Sequence, residues 1–440
     1  MKFSRLRLYW NPLLGIEAFR KIMTCDRFSQ LRNNLHIVNN LDMGPNITDK
    51  IFKVRPIIDA IRNRCLQVPV EEIISVDEQI IPYTGRLSTK QYVKGKPNPW
   101  GIKVYVLAGK SGMSYDFILY QGSTTGLSAS QLSKFGFGAA VVLKLSERLV
   151  NEGHTIFFDN FFTSYNLLER LSQLKQNAAG TIRVNRFAKP PLITDKDLMK
   201  KGRGLSDMVV SQDGGINVVK WQDNKAIHLA SNFIGIGTQD EVKRYNKSKK
   251  TYEIVQRPEI VQQYNFGMGG VDLLDQFVSY YRVFIKSKKW PLRIFTHFLD
   301  VALVASWLEY KNYCIKKGKR SNEILHLLNF RLEVANVLIY ANQKTTSANR
   351  GRPTQSQRNT PESSPVSTKR LMEVRPLKEV QLDGVDHMPN HDGKKEATRC
   401  KMNCLTTQRT AGRTHFFCQK CKIHLCITKE RNCFLAFHTK

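Results

Sequence analysis

The sequence predicts an α/β (α+β) chain in which a strand-rich centre is flanked by helical regions and followed by a small cysteine-rich module. Three observations carry this. Apolar residues recur at three and four toward both flanks of the 440-residue chain, short apolar strands between them end in acids, and six of the nine cysteines lie within the last 41 residues.

Composition bounds the function. At 41% hydrophobic residues the chain can bury a large core, and its length suits two to three domains. Lys and Arg number 68 against 37 Asp and Glu, a net charge of +31. Such an excess is either matched by a polyanion or tolerated as self-repulsion, and nucleic acid is the commonest match. A hydrolase acting on small molecules gives no reason for it. A membrane surface would attract the same charge, but the most apolar stretch, Ile294 to Leu308, is interrupted by His297 and Asp300 and is too short for a span. The start runs from Met1 into Trp10-Asn11-Pro12 without an apolar signal segment, so an intracellular protein with no membrane partner is expected.

From Ile16 to Arg64 the pattern is helical, with Thr24-Cys25-Asp26 as a cap for the run that follows. Glu72 to Glu78 reads as a buried strand ending in acids, and Lys103 to Leu107 and Tyr115 to Tyr120 follow as strands of a meander. Leu127 to Asn151 turns helical. His154 to Asp159 is a second apolar strand that stops at an acid, and Tyr165 to Leu174 is an amphipathic helix. Between Gly180 and Ile260 strand formers and turns alternate, which reads as a β-rich insertion. Helical periodicity resumes from Gly270 to Tyr340 with basic clusters at Lys286, Lys288, Lys289 and Lys316 to Arg320. The stretch from Gln343 to about Thr398 is poor in apolar residues and is expected to be an extended linker.

Three acids invite attention, because a carboxylate in a strand interior is costly to bury unless it is paired or binds a cation. Asp77 and Asp159 end apolar strands. Asp272 sits after the glycines of Gly267-Met268-Gly269-Gly270, in the first turn of a helix that carries Asp275 three residues on, on the same face. Transfer at a phosphodiester needs one oxygen activated and another stabilised, which two divalent ions about 3.5–4 Å apart accomplish in line. Mg²⁺, a hard cation, selects carboxylate oxygen. Taken singly, each acid has an ordinary explanation: a strand-end turn for Asp77, an Asx turn with Asn160 for Asp159, a helix N-terminal charge for Asp272.

Together the segments are more specific. Ser75-Val76-Asp77-Glu78-Gln79, Phe158-Asp159-Asn160-Phe161-Phe162-Thr163-Ser164 and Gly269-Gly270-Val271-Asp272-Leu273-Leu274-Asp275-Gln276 resemble the catalytic signatures of the piggyBac family of DNA transposases and proteins derived from them. Lys96-Pro97 with Trp100-Gly101-Ile102-Lys103, Gly180 to Arg186, Val219 to Lys225, and Lys289-Trp290-Pro291 occur in the family's order, so the resemblance covers nearly the whole chain.

The resemblance implies a ribonuclease-H-like core, with Asp77, Asp159 and Asp272 as catalytic acids on two Mg²⁺ ions and Asp275 as a fourth acid beside them. It implies an insertion domain between the second and third acids, flanking helices that dimerise and grip DNA ends, and cut-and-paste transposition through hairpin intermediates at TTAA sites. The expected divisions are 1–70, helical; 71–179, first part of the core; 180–262, insertion; 263–300, core helix with the third Asp; 301–342, helical; 343–398, linker; and 399–440, cysteine-rich. The expected partner is double-stranded DNA, the expected state a homodimer and the expected compartment the nucleus. Measured against the family, the chain starts close to its first helical segment, so an acidic tail and some end-binding helices are expected to be missing. A domesticated DNA-binding or chromatin-associated descendant without transposition is the competing reading.

The cysteine-rich end reads Cys400-x3-Cys404, Cys418-x2-Cys421-x2-His424-x-Cys426, then Cys433 and His438. Eight such ligands suit two structural Zn²⁺ ions in a module too small to fold on a core alone, and two close pairs separated by a loop suit a cross-brace. The pairing stays open, with His415 as a substitute for His424. From Arg399 to Lys440 there are nine Lys and Arg but one Glu, which favours phosphate over the ubiquitin-ligase or histone-reader roles of other cross-brace modules. Two further DNA contacts are expected: Arg350-Gly351-Arg352-Pro353 has the form of an AT-hook core, with Arg350 and Arg352 straddling a minor groove. Trp290, beside Lys286, Lys288 and Lys289, could stack on an unpaired base, or anchor the core at a helix start.

Overall fold

The computed structural model describes residues 3–439 apart from 4, 43, 45–47, 150–152, 188, 248, 284–286, 342–375, 377, 403 and 405–411. The chain divides into two compact units, Met1–Thr346 and Ser347–Lys440.

The first unit begins with helices α1 (Glu17–Ile22), α2 (Cys25–Asn33) and α3 (Arg55–Leu66). Thr24 caps α2 as its position suggests, its Oγ1 accepting the Arg27 N–H at 3.2 Å. A proline in the first turn of α3 costs no hydrogen bond there, and its apolar face buries Ile58 and Cys65. Strands β1 (Ile73–Pro82), β2 (Lys90–Tyr92), β3 (Trp100–Gly109) and β4 (Ser114–Leu119) follow, then helices α4 (Ala129–Phe135) and α5 (Phe137–Ser146). Next come β5 (Thr155–Phe158), α6 (Tyr165–Gln173), β6 (Asn177–Thr181), α7 (Asp195–Lys201), β7 (Ser206–Val210), β8 (Asn217–Gln222) and β9 (Ala226–Ser231). A ribbon of β10 (Asp240–Asn246) and β11 (Thr251–Arg257) leads into α8 (Glu259–Gly267), α9 (Gly270–Tyr280), α10 (Trp290–Lys316) and α11 (Leu327–Tyr340).

The central sheet has the order β2-β3-β1-β5-β6-β9-β8-β7, with β4 also on β3. β1, β3 and β4 run antiparallel in sequence as the meander pattern implied, whereas β5 and β6 join parallel to β1. β1 is longer than its acidic end suggested: it continues to Pro82, so Asp77 lies mid-strand. In β5, Ile156, Phe157 and Phe158 are all buried, as expected of a parallel strand covered on both faces. The strands between Gly180 and Ile260 continue this sheet through the antiparallel β6–β9 pair. They also build a satellite core of Val219, Trp221, Leu229, Val255, Ile260 and Val261, to which the Trp221 Nε1–H to Gln256 carbonyl bond of 2.8 Å ties the β10–β11 ribbon.

Helix α10 is long and apolar enough by length and composition to cross a membrane. Half of it is nonetheless buried inside the protein, with Ile294, Phe298, Val301, Val304 and Leu308 in the main core. The acid that interrupts its apolar run has a structural use: Asp300 takes the Arg331 guanidinium at 2.7 Å and the Val283 N–H at 2.9 Å, pinning α11 and the preceding loop to α10. A buried charge is tolerated because it is paired and hydrogen-bonded.

The second unit contains α12 (Lys378–Gln381), β12 (Pro389–His391), β13 (Thr398–Arg399), β14 (Arg413–Thr414), β15 (Phe416–Cys418) and α13 (Cys433–Thr439). β12 pairs with β15 and β13 with β14, both antiparallel. The module therefore starts near residue 378 rather than 399, because part of the expected linker is a strand partner of the cysteine-bearing β15. Arg350, Arg352 and Lys286 lie outside the described residues.

Candidate active site and cysteine-rich module

The register of two parallel strands creates the site. Val76 on β1 faces Phe158 on β5 as the last rung of their ladder, so the next residues, Asp77 and Asp159, come side by side where β5 ends. Asp159 leaves the strand in an Asx turn, its Oδ1 accepting the Phe161 N–H at 2.8 Å and its carbonyl accepting the Thr163 hydroxyl at 2.8 Å. The Asx turn expected of this residue is present, and the same turn that ends the strand also aims its carboxylate.

Asp77, Glu78 and Asp159 each place a carboxylate oxygen within 4.8 Å of the others. One Glu78 oxygen, Oε2, is buried with no hydrogen-bond partner among the described residues. Burial and then the neighbouring Glu78 carboxylate push Asp77 up to about 8, and burial raises Asp159 as well. An orphaned oxygen inside a group of mutually repelling carboxylates fits a hard divalent cation, which would satisfy the oxygen and relieve the repulsion.

Asp272 stands in the first turn of α9, and its carboxylate is outside that group with 73% of the side chain exposed. Lys96 bridges the gap, its Nζ 3.6 Å from Asp272 Oδ1 and 4.0 Å from Asp77 Oδ2. Two of the glycines before Asp272, Gly267 and Gly270, work by close approach rather than by flexibility. A Cβ on Gly267 would fall 2.2 Å from the Phe157 ring, and one on Gly270 would fall 2.4 Å from the Gly109 carbonyl and 2.8 Å from Ser75 Oγ. Only glycine lets α8 and α9 press on β1, β3 and β5 and bring Asp272 within reach of Lys96.

Asp275 faces into the protein. Gln79, two residues beyond Asp77, donates its Nε2–H to Asp275 Oδ1 at 2.6 Å, and the Gln79 Oε1 in turn accepts from His297 Nε2 at 2.9 Å. Asp275 is thus held by Gln79, which leaves it in a supporting place behind Asp272. The bond to Gln79 assigns the His297 proton to Nε2, leaving buried Nδ1 with no partner among the described residues. Burial depresses His297 to about 3 from an ordinary 6.5. Folding stability that is complete above pH 6.5 is therefore expected to fall toward pH 3, with a slope from this group approaching about 1.4 kcal/mol per pH unit. Urea titrations across pH 3–7 test this: His297→Asn should flatten the profile, and an unchanged profile would count against a buried neutral imidazole.

Of the expected DNA contacts, Lys289 is the N-cap residue of α10, and Lys288 receives the Tyr83 hydroxyl on its carbonyl at 2.6 Å. Trp290 opens α10 and packs half-buried against the main core. It also lines a cavity of about 350 Å³ with Arg32, His36, Lys53, Lys289 and Phe295.

In the second unit the ligand atoms of His387, Cys418, Cys421 and His438 lie within 4.8 Å of one another, as do those of Cys400, Cys404, Cys426 and Cys433. The two tetrads alternate along the chain, which is a cross-brace. His424 does not join them: its Nε2 lies 2.9 Å from Asp392 Oδ2, and His415 binds the other oxygen of the same carboxylate at 3.1 Å. His387 completes the tetrad instead, because Pro389 pairs with Cys418 across β12 and β15 and carries His387 to that sulfur, Nδ1 to Sγ 3.4 Å.

The chemistry of both groups suits a soft or borderline metal. Sulfur ligands about 2.3 Å from a tetrahedral Zn²⁺ lie about 3.8 Å apart, and Cys404 and Cys426 are 3.5 Å apart. The second nitrogen of each histidine has an acceptor, Asp383 Oδ1 at 2.9 Å for His387 and the Phe434 carbonyl at 2.8 Å for His438, the support metal-binding imidazoles usually have. Burial and the adjacent sulfurs push Cys421 to about 11 and Cys433 to about 12, a penalty on the thiolates that a bound cation would remove.

The sheet brings two half-buried aspartates side by side, with a third acid on a following helix, and the chain that carries this arrangement is of the transposase class. Residues 1–307 match the family model described as transposase IS4, and the chain belongs to that family, in its piggyBac-type branch. The human PiggyBac transposable element-derived protein 3 is 32% identical over 444 residues, covering 99% of this chain and 67% of that protein. The human chimeric ERCC6-PGBD3 protein is also 32% identical over 444 residues, covering 99% of this chain and 37% of its own length. The human PiggyBac transposable element-derived protein 2 is 30% identical over 362 residues, 80% of this chain and 58% of that protein. A cryo-EM structure of a piggyBac transposase synaptic complex with hairpin DNA shares the fold, with a TM-score of 0.60 at 23% identity over 76% of this chain and 67% of that one.

Proposed function

We propose that this chain cleaves and rejoins DNA as a metal-dependent, cut-and-paste transposase, on a ribonuclease-H-like core in which Asp77, Asp159 and Asp272 hold two Mg²⁺ ions. The observation that carries this is the convergence of Asp77 and Asp159, with the orphaned Glu78 oxygen beside them, on adjacent parallel strands. The partial order β4-β3-β1-β5-β6, three antiparallel strands followed by two parallel ones, supports the ribonuclease-H-like reading. When bound, the ions activate the attacking oxygen and stabilise the leaving one. The chain's own residues position the acids: the Asx turn aims Asp159, Gln79 and His297 hold Asp275, and the glycines seat the helix of Asp272.

DNA is the partner that the charge of +31 and the hairpin-DNA complex of the structural relative support. Within this reading the targets are TTAA sites, two copies act on paired ends, and the protein works in the nucleus. The cavity beside Trp290, aromatic within and bordered by Arg32, Lys53 and Lys289, fits an unpaired base with its phosphate. The two tetrads of the second unit would hold Zn²⁺ and present its basic surface to phosphates.

The names of the curated relatives, transposable element-derived proteins, favour a second reading: a domesticated DNA-binding descendant that no longer transposes. Excision from a reporter plasmid carrying candidate TTAA-flanked ends decides between them. A repaired product from the wild-type chain and none from Asp159→Ala is the expected result. No product from either, with DNA binding intact and an N-terminally extended chain equally inactive, selects the domesticated binder.

A further inference from the structure

Among the described residues, Lys96 is the cation placed between acids of two different elements at this site. It sits in the loop between β2 and β3, which the Val93 N–H closes onto the Pro99 carbonyl at 2.8 Å and which Gly95 turns with a φ of +93°, a conformation glycine adopts without strain. The side chain is 24% exposed, and its ammonium reaches Asp77 on β1 and Asp272 on α9 at 4.0 and 3.6 Å.

We propose that Lys96 is a built-in counter-ion that competes with a divalent cation for the position between Asp77 and Asp272, so that the two catalytic ions bind in order. This rests on the reading of these acids as metal ligands. A cation shared by these two carboxylates would have to lie between them, where the ammonium now stands. The ligand oxygens of Asp77, Glu78 and Asp159 already lie within 4.8 Å of one another, so an ion held there would not call on Asp272. The second ion has to evict Lys96 before it can use Asp272. A phosphate oxygen offers the evicted ammonium a new partner, so DNA promotes loading of the second ion, and the fully charged site assembles only on its substrate. An arrangement of this kind protects other phosphodiesters from a cleavage site that is always complete.

The test is a Mn²⁺ titration of the zinc-loaded full chain, reading free Mn²⁺ by electron paramagnetic resonance, with and without a short duplex. For the wild type one tighter and one weaker ion are expected, the weaker strengthened by the duplex. Lys96→Met should tighten the weaker ion on the order of tenfold and reduce its dependence on the duplex. The gain should vanish in Asp272→Asn, where the second ion has lost its ligand. Lys96→Gln, polar and similar in length, gives the same reading if the Met variant melts early. Unchanged or weaker Mn²⁺ binding in both Lys96 variants, with a wild-type titration that Asp159→Asn abolishes, overturns the role of Lys96 alone. A wild type that binds no more Mn²⁺ than Asp159→Asn overturns the metal reading and this inference with it.

Discussion

Asp159→Ala and Asp77→Asn are each expected to reduce DNA cleavage and strand transfer by about a thousandfold or more, since metal-assisted charge stabilisation contributes several kcal/mol and each 1.4 kcal/mol is a factor of ten. DNA binding by the same variants should stay close to wild type, because neither carboxylate favours a polyanion. The measurement is cleavage of labelled DNA ends with Mg²⁺, paired with a binding titration at one fixed salt concentration. Residual cleavage within tenfold of wild type would remove the residue from the catalytic role.

The same variants carry a stability readout. Asp77 is pushed up to about 8 in the folded protein against an ordinary 3.8, chiefly by burial and then by Glu78. Its contribution to stability is therefore complete below pH 3.8 and is lost as pH rises through 8. Asp77→Asn removes that loss, so without added divalent ion the variant should melt higher than wild type at neutral pH, and added Mn²⁺ should narrow the difference by stabilising only the wild type. A variant that melts lower under both conditions would mean that Asp77 is held by contacts other than those with Glu78, Asp159 and Lys96.

Metal removal from the second unit is expected to have the other large effect. Structural Zn²⁺ contributes about 10–16 kcal/mol to small zinc modules, as much as or more than the roughly 5–15 kcal/mol net stability of a whole domain. Its core, Cys400, Cys418, Ile423, Leu425, Cys426, Cys433 and Phe437, includes four of the ligands themselves, so the core does not survive their separation. Chelation should abolish the module's circular dichroism and its DNA affinity together. Elemental analysis should find two Zn²⁺ per chain, one in His387→Ala and two in His424→Ala. The reverse pattern in the histidine variants would overturn the assignment of His387.

Much of this was legible locally. Period-two and period-3.6 patterns place most helices and strands of the first unit, and the cysteine spacings point to two sites in a cross-brace. Gln79 was also within reach, since residues two apart on a strand share a face and Asp77 was already suspect. Glu78 was not, because strand alternation points it away from Asp77 until the side chains bend together. Lys96 lies in a segment whose only sequence signal is its resemblance to a family, and nothing in its spacing ties it to Asp272.

By itself the sequence determined which segments are helix or strand, the charge that calls for a polyanion, the family, and the identity of the acids and sulfurs, because these depend on residue type and short-range periodicity. Only the tertiary structure decided which of them meet. The β1–β5 register makes Asp77 and Asp159 neighbours, two glycines bring Asp272 up to a lysine, and the β12–β15 pair selects His387 over the nearer His424. Strand register is a long-range choice made by packing, and a one-residue slip would turn the same side chains to the opposite face.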